Sequence, residues 1–163
     1  DGEKYFAPDG EFQKIAVIER HKNTGKMGVG IVKGYGIRGG AIASSVSHDS
    51  HNIIVVGDND HDMALAVKEM MRTQGGYTLV CNGEIYGTLS LPVMGLMSDA
   101  GYEHVNEALA RMIPKAHEMG VKDGFDPFIT LSFMALPVIP EIRITPRGIY
   151  LVNEDRMLRT PFS

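Results

Sequence analysis

The chain has 163 residues, of which 44% are hydrophobic and 22% are charged, and its formal net charge is −4. This length and composition suit a single globular domain and argue against a disordered chain. The weakly acidic balance, without a block of Lys or Arg, argues against non-specific binding to nucleic acid or to an anionic membrane surface.

The sequence carries no sign of export or membrane insertion. No apolar run approaches the ~20 residues that span a bilayer, and the first residues lack the basic and apolar regions of a signal peptide. The single cysteine, Cys81, excludes an internal disulfide and fits a reducing compartment. We therefore expect a cytoplasmic protein in which Cys81 points inward from a strand.

The first half of the sequence predicts several strands followed by a helix. Apolar and β-branched runs indicate strands at 14–19, 28–32, 41–46 and 53–56. The last run, Ile-Ile-Val-Val, is typical of a strand buried on both faces. Either Asp58 or Asn59 is expected to cap the helix, and the pair Gly75-Gly76 is expected to end it.

The second half predicts a hairpin, a long helix and a final hairpin. Asn82-Gly83, between strands at 77–81 and 84–89, is the preferred pair for a type I′ turn. A helix is predicted over 102–119, where Pro114 should bend it or shift its boundary. The apolar stretch 128–139 fits either a buried strand or a short helix. Strands at 142–145 and 149–152 form the last predicted hairpin.

These elements predict an α+β fold with a mixed, largely antiparallel sheet or sheets built from hairpins. Two main helices are expected to pack on the sheets. No linker divides the chain, so we expect one domain over residues 14–163, preceded by a flexible or inter-domain segment at 1–13.

The polar run between the third and fourth strands is the most reactive-looking feature of the sequence. Its candidate site residues are His48, Asp49, Ser50, His51 and Asn52. Histidine can serve as an acid, a base or a metal ligand, and loops between buried strands often carry function. Asp, Ser and Asn equally often satisfy backbone groups in tight loops. Both interpretations remain open.

An independent catalytic metal site in this chain is not expected. Such a site requires three protein ligands and an open coordination position. The two histidines are three residues apart in a segment that does not look helical, and in a strand they would face opposite sides.

Four sets of segments in the sequence resemble those of a known protein family. They are IAVIERH at 15–21 followed by GVG at 28–30, GAIASSVSHDSHNIIVVG at 40–57, LPVMGLMS at 91–98 and PFITLSFMALPVIP at 127–140. In this order they resemble the C-terminal domain of bacterial and archaeal adenine deaminases, and the resemblance extends over about residues 14–152.

The resemblance implies an activity that this chain would not perform alone. The family belongs to the amidohydrolase superfamily of hydrolases. It converts adenine and water to hypoxanthine and ammonia in adenine catabolism, a part of purine metabolism, by cleaving the C–N bond of a cyclic amidine. Its metal, manganese or iron, lies in an N-terminal (β/α) barrel that is absent from this chain. The barrel's His-x-His pair is missing from these residues, so we expect the isolated fragment to be inactive and to hold no metal.

The resemblance also implies partners for this chain. They are the amidohydrolase barrel of the same polypeptide, adenine as the substrate of the whole enzyme, and further copies in a homo-oligomer. We hypothesise that the loop from His48 to Asn52 faces the barrel opening and positions adenine or carries a proton. Two alternatives are a structural or dimerisation module and a small-molecule (purine) sensor domain without its own catalysis.

Overall fold

The computed structural model describes residues 8–158, which form two antiparallel sheets and three α-helices. The larger sheet contains β1 (Phe12–Ile18), β2 (Met27–Lys33), β3 (Gly40–Ser44), β4 (Ile53–Gly57), β5 (Gly76–Cys81) and β6 (Glu84–Ser90). Its strand order is β2-β1-β4-β3-β5-β6. The smaller sheet contains β7 (Ile142–Thr145), β8 (Gly148–Leu151) and β9 (Arg156–Leu158). The helices are α1 (Asp60–Arg72), α2 (Tyr102–Glu118) and α3 (Ile129–Met134).

The predicted α+β class is confirmed. Each pairing of neighbouring strands is antiparallel in the described part of the chain. β1 begins at Phe12, two residues before the predicted start. β3 ends at Ser44, two residues before the predicted end. The Ser45 amide still donates to the carbonyl of Gly76, while its hydroxyl donates to the carbonyl of Gly95 and accepts from the amide of Gly76.

The helix α1 covers one face of the larger sheet. Asn59 is its N-cap, with a side chain that accepts a hydrogen bond from the Asp62 amide at 2.8 Å. Asp58 instead accepts from the amides of Gly39 and Gly40 and anchors the entry to β3. The apolar stripe of α1 packs into a core whose buried members include Met63, Ala66, Met70, Ala43, Ile53, Val55 and Val80.

The other face carries α2, α3 and the smaller sheet. Its larger core includes Val17, Ile42, Ile54, Leu79, Met112, Phe128 and Ile144, with Cys81 partly buried against it. Residues 128–139 were predicted to form either a buried strand or a short helix, and the structure has the short helix α3 there. Phe128, just before α3, stacks on Tyr77 with ring centroids 4.8 Å apart, and the hydroxyl of the buried Tyr35 donates to the Pro127 carbonyl at 2.6 Å.

Local sequence signals account for the turns and helix ends. Asn82 and Gly83 both have positive φ, 49° and 81°, as the predicted type I′ turn requires. The helix α2 continues through Pro114 to Glu118, so the exposed proline does not end it. Among residues 8–158, no helix is both long and apolar enough to cross a bilayer.

Replacing Met112 with Ala tests the core beneath α2. The Met112 side chain is fully buried, and its loss should lower the free energy of unfolding by about 2–5 kcal/mol. The matched control is Met71→Ala on α1, where the side chain is 69% exposed and the expected change is within about 0.5 kcal/mol. Urea unfolding measures both. Equal losses at the two positions would contradict this assignment of the core.

Candidate functional site

The predicted polar loop leaves the middle of the larger sheet. It joins β3 to β4, and every residue of these two strands is buried. Because β1 and β3 run opposite to β4, the ends of β1 and β3 lie at the same end of the sheet as the start of β4. The start of β5 and the end of β6 lie there too. We call this the site end of the sheet.

Arg20 ties three of these segments together. Its amide donates to Asn52 Oδ1 at 3.3 Å, and its guanidinium donates to the carbonyls of Met94 at 2.7 Å and Gln74 at 3.4 Å. A Cβ added at Gly95 would lie 2.3 Å from Arg20 Nη1, so the guanidinium needs a glycine at that position. The loop after β6 is therefore fixed against the turn before β5 and the start of β4.

Hydrogen bonds within the 47–52 loop give part of it a structural role. The His51 amide donates to the Ser47 carbonyl at 2.6 Å, and Asn52 Nδ2 donates to Ser50 Oγ at 3.0 Å. A ring nitrogen of His21, which follows β1, lies 2.7 Å from the Ser50 carbonyl. Asn52 is only 6% exposed, and its side chain serves the loop itself. For Asn52 and Ser50 the structural interpretation is therefore supported.

The two loop histidines lie together beside an exposed aromatic ring. The ring centroids of His48 and His51 are 5.8 Å apart and nearly perpendicular, and His48 lies 5.9 Å from Phe133 of α3. The Phe133 side chain is 46% exposed. The loop conformation thus brings the two histidine rings together, which their spacing in a strand would not have done, and the contribution of Phe133 does not follow from spacing either.

Two buried polar atoms of this loop lack a hydrogen-bond partner in the described structure. They are His51 Nδ1 and Ser47 Oγ, and Ser47 is fully buried. Buried polar atoms are almost always paired, because leaving one unpaired costs about 1–3 kcal/mol. Gln13 Nε2 and Arg143 Nε, outside the loop, are unpaired in the described structure as well.

The surroundings lower the pKa of His51 below its ordinary value of 6.5. Desolvation is the largest cause, and the nearby His48, Arg20 and His21 act in the same direction against the opposing charge of Asp49. Near neutral pH the His51 imidazole is therefore uncharged and able to accept a proton.

A second feature of the loop is a cavity of about 350 Å³ beside it. Asp49, Ser50, Asn52 and Thr145 are its polar lining residues, and the others, which include Ala135 and Ile144, are apolar. This volume lies near the lower limit of pockets that bind small molecules. The exposed Asp49 carboxylate is the charged group on its lining.

The described residues around the loop contain no cluster of possible metal ligands. Among residues 8–158, no group of three or more His, Cys, Asp and Glu side chains is arranged to hold a metal ion. His48, Asp49 and His51 therefore do not supply the three ligands that a catalytic site requires. These residues do not fit the manganese or iron centre that the resemblance implies.

Comparison with known proteins identifies the family. Residues 1–156 match the model of the adenine deaminase C-terminal domain. The chain belongs to this family. It is 52% identical over 154 residues to the adenine deaminase of Desulfitobacterium hafniense, a match that covers 94% of this chain and 27% of that protein. It is 50% identical over 150 residues to the adenine deaminase of Bacillus subtilis, covering 91% and 26%. The chain thus spans about a quarter of the length of these curated relatives.

The segments that resemble the family meet at one place in the fold. Arg20 belongs to the first segment, the 47–52 loop to the second, Met94 to the third and Phe133 to the fourth. Spacing and composition did not indicate Arg20, Met94 or Phe133 as neighbours of the loop. The shared family pattern was the signal that could have placed them there.

Substituting His51 tests its depressed pKa through the pH dependence of stability. As the pH falls below about 6.5, the unfolded chain binds a proton at His51 that the folded chain resists, so stability decreases toward acid. The His51→Gln variant should lose part of this decrease between about pH 7.5 and 5. Thermal unfolding across this range measures the effect.

The control for this experiment is His104→Gln, at an exposed position on α2. It should leave the pH profile close to that of the unmodified chain. A His51→Gln profile as steep as that of the unmodified chain would show that His51 is not held neutral by the fold.

Proposed function

We propose that this chain is the C-terminal part of an adenine deaminase, an enzyme that hydrolyses adenine to hypoxanthine and ammonia. The observation that carries the proposal is identity of about half over nearly the whole chain to proteins named adenine deaminase. The catalytic barrel then belongs to the preceding part of the same polypeptide, and this domain borders the barrel's active site.

The site end of the sheet is the part of the domain that we propose faces adenine. The exposed Phe133 ring, with His48 beside it, offers a flat apolar surface to a purine. Covering the barrel opening with this surface would also exclude water from the reaction.

His51 is the residue that we propose moves a proton. Hydrolysis adds water to C6 of adenine, and the amino group leaves as ammonia after it gains a proton. A neutral imidazole in reach of these atoms can take a proton from one and deliver it to the other. The lowered pKa of His51 supports this role, and positioning of adenine is the alternative role for the same loop.

The metal of the whole enzyme, manganese or iron, is proposed to be held outside this chain. The described residues form no group able to bind it, so no step of the metal chemistry is assigned to them. A cytoplasmic location and a homo-oligomeric state also remain predictions, the former supported by the single Cys81.

Separate His48→Ala and His51→Ala substitutions in the full-length enzyme test the proposed site. Each should lower kcat/KM for adenine at least about tenfold, which corresponds to about 1.4 kcal/mol of transition-state stabilisation. Loss in kcat alone indicates proton transfer, whereas a rise in KM indicates positioning. The control is His104→Ala on α2, which should retain full activity.

The same variants separate the proposal from its alternatives. If both remain within about threefold of the unmodified enzyme, the loop has no catalytic role. Changes in subunit assembly or stability alone would favour the structural or dimerisation module. A rise in the Tm of this chain on adding adenine would favour a purine sensor domain.

A further inference from the structure

An apolar groove runs beside α1, on the face of the larger sheet that α1 covers. The helix α1 lies over β3, β4 and β5 and leaves the edge strand β2 and part of the neighbouring strand β1 open on its side. The groove has a volume of about 650 Å³, and its lining includes Ala16, Ile18, Met27, Val29, Ile31 and Met63. We call this surface the α1 groove.

One face of the edge strand β2 is covered by the smaller sheet, and the other face is partly exposed to solvent. On one face the smaller sheet approaches so closely that a Cβ added at Gly28 would lie 1.9 Å from the Thr145 carbonyl oxygen. On the other face, Met27 and Ile31 are 46% and 47% exposed although they lie in a strand of the main sheet. A contiguous apolar surface of this kind is typical of a site that another part of a protein covers.

The rim of the α1 groove is polar, as interface rims are. Lys14 Nζ lies 2.7 Å from Asp60 Oδ1, and these side chains are 26% and 76% exposed. Lys68 of α1 adds a further charge to the lining. An apolar centre with a charged rim suits a contact between domains, in which the ion pair stays at the boundary with water.

We propose that the α1 groove docks the part of the longer polypeptide that precedes this domain. The chain matches a C-terminal domain and spans only 26–27% of its relatives, so most of their length lies before it. That preceding part joins the domain just before β1, whose residues Lys14, Ala16 and Ile18 line the groove. Its covalent attachment at this point gives it a high effective concentration at the groove.

This proposal rests on family membership, length and the groove itself, and it does not depend on the catalytic role of the 47–52 loop. The groove and the loop are lined by separate residues. Failure of one proposal therefore leaves the other standing, provided that the experiment does not measure adenine turnover.

Photo-crosslinking in the full-length enzyme tests the occupant of the groove. p-Benzoylphenylalanine is introduced separately by Met27→p-benzoylphenylalanine and Ile31→p-benzoylphenylalanine, both at half-exposed positions that tolerate a larger side chain. After irradiation, mass spectrometry should identify crosslinks from both positions to peptides of the preceding part of the same chain. Circular dichroism and gel filtration check that each variant is folded and assembled as the unmodified enzyme is.

The control is Tyr86→p-benzoylphenylalanine in β6, the other edge strand, where the native ring is 39% exposed and lies beside Lys115 of α2. It should give few or none of the crosslinks seen at 27 and 31. Crosslinks between two copies, seen as a doubled mass on a denaturing gel, would overturn the proposal in favour of a dimer contact. Crosslinking at 27 and 31 no greater than at 86 would overturn it as well.

Discussion

Burial of β4 on both of its faces is the constraint on which the rest of the structure depends. The strand lies between β1 and β3, with Ile54 and Val56 in the core beneath α2 and α3 and Ile53 and Val55 in the core beneath α1. A strand of this kind has no place for polar side chains. The polar residues that precede it must therefore gather in the 47–52 loop at the end of the sheet, where the chain turns.

The remainder of the site end follows from that position. Arg20 leaves β1 next to the start of β4 and reaches the carbonyls of Gln74 and Met94, so three separate connections are fixed to one another. Asn52 completes the internal bonding of the loop. His51 Nδ1 and Ser47 Oγ remain buried and without partners in the described structure, as do Gln13 Nε2 and Arg143 Nε outside the loop.

Much of this fold could be predicted from local patterns, and the parts that could not are those set by distant contacts. Asn82-Gly83 and the β-branched run of β4 specify their structures directly, because turn dihedrals and burial depend on the nearby sequence. Segment 128–139 was left open because its periodicity fits a strand or a helix, although the Asp126 carboxylate, which accepts from the amides of Phe128 and Ile129, is a local signal for a helix start. The loop histidines were predictable as candidates. Phe133 was not, because the packing of α3 against the sheet brings it beside a loop that is distant in the sequence.

We propose that this chain contributes to adenine hydrolysis only as part of a longer enzyme. The most direct test is ammonia release from adenine, measured for this chain alone and for the full-length enzyme, each with and without added manganese. We expect release by the full-length enzyme and none by this chain under either condition. Metal-dependent release by this chain alone would contradict the account, since a complete site would then lie within its 163 residues.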